Sequence, residues 1–166
     1  MESKRQLLEL WLRRLREIQA SQYDTAKSLS IMNLMLGIPV VILSTFVGTS
    51  VFASLQKEIS ISFKIIVGVI SVTAAVLASL QTFLRFSERA ENHRVAGSKA
   101  GILRREIEQI LTSTDLENLP DEPITRIRQK YDDLTSNAPN VSNRIWNRTE
   151  RKLGMRKKNN DSNIKL

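Results

Sequence analysis

The chain has 166 residues, enough for one modest domain, with 25 Lys and Arg against 17 Asp and Glu, a net charge of +8 and a pI of 10.1. It contains no cysteine and a single histidine, which excludes a disulfide framework, thiolate chemistry and the usual zinc or copper sites. The mean hydropathy of −0.20 averages charged arms with two oily runs, so class must be read from the runs and not from the mean.

Residues 4–27 read as an amphipathic helix. Leu8, Trp11, Leu12, Leu15 and Ile18 recur at spacings of three and four, with Arg13, Arg14, Arg16 and Glu17 between them. Such a stripe packs on another helix of the chain or lies in a membrane surface. Ten charged side chains among the first 27 residues separate this segment from a secretory signal peptide.

Ser28 through Gln56 is a run of 29 residues without a charge, and Ile65 through Leu84 is a second run of 20. A helix rises about 1.5 Å per residue and the hydrocarbon layer is about 30 Å thick, so both runs are long enough to cross it. A helix also satisfies its backbone polar groups within one segment, as lipid demands. Two transmembrane helices are therefore predicted, over 30–55 and 63–84, forming a hairpin, with a kink at Pro39 in the first. Residues 1–29 carry six cations against four acids and residues 85–166 seventeen against twelve, whereas the connection between spans has only Lys57 and Glu58, with Lys64 at its edge. The excess of Lys and Arg on both arms predicts cytoplasmic termini and a tight turn outside.

Both spans are rich in small and hydroxyl side chains at four-residue spacing. Ser44 and Gly48, Thr45 and Thr49, and Ser71, Ala75 and Ser79 are the candidate pore-lining or helix-packing residues. Small residues at this spacing let helices approach closely, so the stripes either join the two spans, join copies of the chain, or face water within an oligomer. A two-helix hairpin cannot enclose a pore alone, and the last reading requires several chains. Neither span holds an ionisable side chain, which argues against a pump or an ion-coupled transporter.

Beyond the second span no proline occurs before Pro120, and a continuous helix from Ser62 to Thr112 is predicted, with 85–113 as its cytoplasmic part. Phe86, Ala90, His93, Gly97, Ala100, Leu103, Ile107 and Ile110 make a packing seam whose small middle implies close approach by the Trp11 helix. The prolines of Leu119–Pro123 break the chain, a short helix follows over 120–137, and Ser136–Ser142 is a second turn. Residues 144–166 form a basic tail: Arg144 to Lys158 holds seven cations and one acid, with Trp146 among them. This composition suits anionic lipid headgroups or simple topology signalling, or alternatively nucleotide contact, though it lacks an aromatic platform for bases.

No catalytic, metal-binding or cofactor-binding constellation is present in the sequence. His93 is read as a packing or hydrogen-bonding residue, with proton sensing as the alternative. Trp11, His93, Arg94, Gly97, Arg104, Arg105 and Glu106 are the candidate cytoplasmic gating seam, where a bound ligand or partner would turn the second span.

The order of parts, the stretch LGIPVVILSTFVGTSVFASL in the first span, His93–Arg94 with Ala96, LRREIE at 103–108 and YDDLTSNAPNV at 131–141 together resemble the SLATT family. The resemblance covers residues 7–146, with a domain placed at 1–146; one departure is that Ser98, Lys99 and Ala100 stand where the family often has a tyrosine. It implies an all-α membrane effector of bacterial antiphage systems, associated with nucleotide-signal synthases or nucleotide sensors. Such an effector oligomerises on a cyclic-nucleotide or partner-protein cue and permeabilises the inner membrane. The family assigns no catalytic residue. The expected partners are thus membrane lipid, copies of itself and a signalling protein or nucleotide, not nucleic acid. The alternative is a non-conducting anchor that docks a partner through its helical arm.

Overall fold

A computed structural model describes residues 4–54, 60–112 and 120–163, with side chains except at 54 and 155–163. Every regular element among them is a helix: α1 (Lys4–Ser54), α2 (Ile61–Leu84), α3 (Phe86–Leu111), α4 (Asp121–Asn137) and α5 (Asn143–Asn163). The connection between the spans with Lys57 and Glu58, expected as a tight turn, and Leu119 of the expected proline break lie outside the described residues. Two of the helices are long and apolar enough to cross a membrane, and the chain is a helical membrane protein.

Two boundaries differ from the sequence reading. Residues 4–27 and 30–55 were expected as separate helices, yet α1 runs unbroken for 51 residues. The step in polarity at Lys27 changes what the helix touches, and nothing there removes a backbone hydrogen bond. Pro39 likewise sits inside α1 without ending it. Conversely, the helix expected from Ser62 to Thr112 is interrupted. Arg85 adopts φ 46 and ψ 41, closing α2 with a left-handed residue, and α3 starts at Phe86. Only that non-glycine takes a positive φ among the described residues, at a cost of about 1 kcal/mol. The other end of α2 is capped by Ser60, whose hydroxyl accepts from the Phe63 amide.

The chain divides into two compact units, residues 1–27 with 90–166 and residues 28–89. In the first, Leu8 and Leu15 from α1 join Ala100, Leu103 and Ile107 from α3 and Ile127 and Leu134 from α4 in one buried cluster. Trp11, Leu12, Ile18 and Tyr131 pack around it, and the Trp11 and Tyr131 rings stack with centroids 6.1 Å apart. These are the residues that recur at three and four along each helix, so burial of the apolar stripes organises the unit. Asp121 and Glu122 sit in the first turn of α4, where negative charge complements the helix dipole, and Pro123 is tolerated there because first-turn amides lack helical acceptors.

The second unit is the hairpin of the later α1 and α2. Its less exposed positions are Leu36, Val40, Leu43, Val47 and Ser50 on α1, and Val67, Ile70, Ala74, Leu77 and Gln81 on α2. Each set recurs at three and four and marks the seam along which the antiparallel helices meet. At one point the seam is close: a Cβ on Gly37 would lie 3.1 Å from Gln81 Nε2.

Candidate functional site

The hairpin presents its small residues outward. Ser44, Thr45, Gly48, Thr49, Ser71, Ala75 and Ser79 are all exposed, so within one chain they do not hold the spans together. Branched side chains fill most of the seam, and its two most buried positions are the small Ser50 and Ala74. Gly48 and Gly68 have no atom within 4 Å of where a Cβ would stand.

Helix geometry fixes which way these residues point. Each residue turns about 100° from the last, and from the seam Ser44 and Gly48 fall to one flank of α1. Ser71 and Ala75 fall to the corresponding flank of α2, while Ser79 turns toward the face away from α1. Because the two helices are antiparallel, those flanks lie on the same side of the hairpin, joined there by Gly68 and Thr82. The opposite side carries Met32, Met35 and Phe46 from α1 and Ile66, Val69 and Leu80 from α2, each at least 42% exposed. Thr45 and Thr49 point away from α2 altogether. One side of the hairpin is therefore enriched in small and hydroxyl-bearing residues, with Val51 among them, and the other is mainly bulky and apolar, with Thr73 among its residues.

Several of the hydroxyls are partly satisfied within their own helix. Thr45 donates to the Val41 carbonyl at 2.8 Å, Thr49 to Thr45 at 3.0 Å, and Ser79 to Ala75 at 2.8 Å. Such back-bonding lowers the cost of placing a hydroxyl in lipid while leaving its oxygen able to accept a further bond.

In the other unit the seam residues divide. His93 and Gly97 face α1, where His93 is 5% exposed and a Cβ on Gly97 would come 3.3 Å from the Tyr23 ring. Arg104 donates to Gln19 Oε1 at 3.2 Å, and its buried Nε has no hydrogen-bond partner although Glu108 Oε1 lies 3.5 Å away. Glu106 faces α4 and pairs with Lys130 at 2.6 Å. Arg94 pairs with Glu91 on its own helix, and Arg105 is exposed to solvent. Trp11 stacks on Tyr131 from α4, about three helical turns along α1 from Gln22, the residue that His93 meets.

A buried polar band is the feature that reading the sequence missed. Ser21, Gln22, Thr25, His93 and Thr149 are each under one-tenth exposed. Ser21 and Thr25 donate to carbonyls one turn back, at 2.9 and 2.8 Å. Gln22 is the hub: its Nε2 donates to the Pro139 carbonyl at 3.0 Å and its Oε1 lies 2.6 Å from His93 Nδ1. A carbonyl can only accept, so Pro139 fixes the Gln22 amide with its oxygen toward the imidazole. His93 must then donate from Nδ1. One amide thus ties α1, α3 and the connection after α4. Two residues on, Asp24 Oδ2 receives Lys152 at 2.9 Å and lies 3.5 Å from the buried Thr149 hydroxyl, seating α5 against α1.

A shallow groove of about 240 Å³ opens beside this band, between Asn92, Val95 and Lys99 of α3 and Asn137, Ala138 and Pro139. Among the described residues no cluster of three His, Cys, Asp or Glu is placed to hold a metal ion.

No curated protein and no solved structure matches this sequence. Residues 18–161 match the SMODS and SLOG-associating 2TM effector domain family 4, a span that includes both uncharged runs, the polar band and most of α5. With that match covering most of its length, the chain belongs to the SLATT family of two-span effector domains.

Proposed function

We propose that the chain is a pore-forming effector of a bacterial antiphage system. On a signal received by the unit of residues 1–27 and 90–166, several copies associate through the small-residue side of the hairpin and open a water-filled path across the inner membrane. Growth arrest or death of the cell follows. The observation that carries this reading is the sorting of the hairpin into one side enriched in small and hydroxyl-bearing residues and one mainly bulky side. Small side chains let neighbouring hairpins approach closely, and hydroxyls with a free lone pair can face either a neighbouring chain or water. The absence of ionisable side chains in the spans favours a weakly selective opening over coupled transport.

The signal is a nucleotide or a partner protein that meets this unit. The excess of cations on both arms supports termini on the cytoplasmic side, where such a partner would be met.

Purified protein in dye-loaded liposomes tests the function: leakage should rise with protein density and with an activating partner, and tight liposomes at oligomer-forming densities would refute it. A non-conducting anchor is the second reading. It is favoured by the back-bonded Thr45, Thr49 and Ser79 hydroxyls, which need no water to be accommodated in lipid. Ser44→Ala with Thr45→Val separates the two, since it preserves an anchor and alters a pore whose hydroxyls face water.

A further inference from the structure

The basic helix α5 is held at the place where α1 passes from charged to uncharged sequence. Asp24 receives Lys152 and Thr149, and it stands four residues before the uncharged run opens at Ser28. Through its buried side α5 packs with Ile145, Thr149 and Leu153, none of them exposed. Arg144, Arg148 and Arg151 recur at four and three on the opposite side, all exposed, with Asn147 beside them. Among the described residues none of these three arginines pairs with an acid, and only Arg151 bonds locally, to the Asn147 carbonyl at 3.2 Å. Trp146 borders the buried side of α5 instead and is 37% exposed. A helix tethered within one turn of an apolar span, with one side buried and three unpaired guanidiniums on the other, has a single complementary neighbour at hand.

We infer that the Arg144–Arg148–Arg151 face of α5 binds the phosphates of anionic phospholipid headgroups and so lays this helix on the bilayer surface. Guanidinium forks match phosphate oxygens in pairs. The inference requires membrane insertion of the spans but not pore formation. Each cation near an anionic surface contributes about 1 kcal/mol, so three together shift the docked population by roughly 100-fold.

The chain has no cysteine, so Asn147→Cys gives one labelling site on this face. The labelled full-length protein is reconstituted in phosphatidylcholine vesicles with and without phosphatidylglycerol, each containing a lipid with a nitroxide headgroup, and fluorescence quenching is read. Quenching should be strong with phosphatidylglycerol and weak without it. High salt and the triple change Arg144→Gln, Arg148→Gln, Arg151→Gln should each abolish the difference, while the three Arg→Lys changes should keep most of it. Equal quenching in both vesicle types, or a lipid dependence that survives the triple Gln change, overturns the inference. So does a label that ignores phosphatidylglycerol but responds to a short single-stranded RNA, which would assign the face to nucleic acid. Failure to co-float with either vesicle would instead refute membrane insertion itself, and dye leakage is not an element of this readout.

Discussion

Placing a leucine at Gly48 or Gly68 separates contacts within a chain from contacts between chains. Neither position has an atom within 4 Å of a new Cβ, so the hairpin itself has room for the added side chain. Leucine is a better helix former than glycine by about 0.8 kcal/mol, and its transfer to the middle of a bilayer adds about 0.5 kcal/mol in the same direction. The isolated hairpin should therefore be stabilised by roughly 1 kcal/mol. At a close contact between copies the same leucine overpacks the interface, at a cost of about 1–3 kcal/mol, which lowers association by roughly 5- to 150-fold per contact. In-membrane crosslinking reports assembly, dye leakage reports activity and a thermal melt in detergent reports the fold. Ile66→Leu, on the bulky side, is the control and should leave all three unchanged. The expected result is a melt at or above that of the parent with assembly and leakage both reduced. Gly48→Leu and Gly68→Leu proteins that assemble and leak like the parent would refute the assignment of the small-residue side to contacts between copies.

Four further outcomes follow from the geometry. Gln22→Leu strips the His93 Nδ1–H and the Pro139 carbonyl of their partner and should cost about 2 kcal/mol; His93→Leu in the same chain should cost less than the sum of the two single changes, read from denaturant midpoints. Leu15→Ala, at a side chain with no exposure in the centre of the apolar cluster, should cost about 2–5 kcal/mol by the same measurement. Arg85→Gly relieves the left-handed residue between α2 and α3 and should raise the melting temperature slightly, whereas Arg85→Val should lower it. The hydrogen bond and charge of Lys4 hold the Asp121 carboxyl below the ordinary 3.8. A depressed folded value means the pair contributes above that range and is lost as pH falls through it. Asp121→Asn should thus lower the melt slightly at neutral pH and leave it unchanged in strong acid.

How much of this was legible in the sequence depends on whether the signal is local. The two spans could be read because an uncharged run of bilayer length needs no partner to identify it. The stripe Leu8–Trp11–Leu15 and the seam Ala90–Gly97–Ile107 could be read because period alone defines them. The direction of the small stripes could not. Ser44 and Gly48 border the same seam as Leu43 and Val47 on one helical turn, and only the paired helix shows which set it covers. Arg85 gave no warning, since glycine or asparagine is the usual mark of a left-handed residue. Gln22 and Asp24 were passed over as ordinary polar positions because their partners stand 117 and 128 residues away. Those distant pairings are what convert a helix with an apolar stripe into a unit with a polar layer.

On the proposed function, that polar layer is where a signal would act at lowest energetic cost. The apolar cluster around Leu8, Leu15 and Ile107 is worth several kcal/mol for any one large side chain, and a partner protein that disturbed it would unfold the unit instead of switching it. The bonds from Gln22 to His93 and Pro139 are different: each contributes about 1 kcal/mol net, and both groups can find other partners if the connection after α4 moves. A partner that binds the groove at Asn92, Lys99 and Asn137 touches Ala138 and Pro139 directly. Preferring the state in which Gln22 has released that carbonyl, it need supply only about 2–3 kcal/mol to shift the population by roughly 30- to 150-fold. Hydrogen exchange at residues 18–25 and 90–97 locates this step. Exchange there should quicken on addition of the partner while that of 8–15 and 103–107 stays slow, and uniform loss of protection across both segments would mean unfolding in place of a switch.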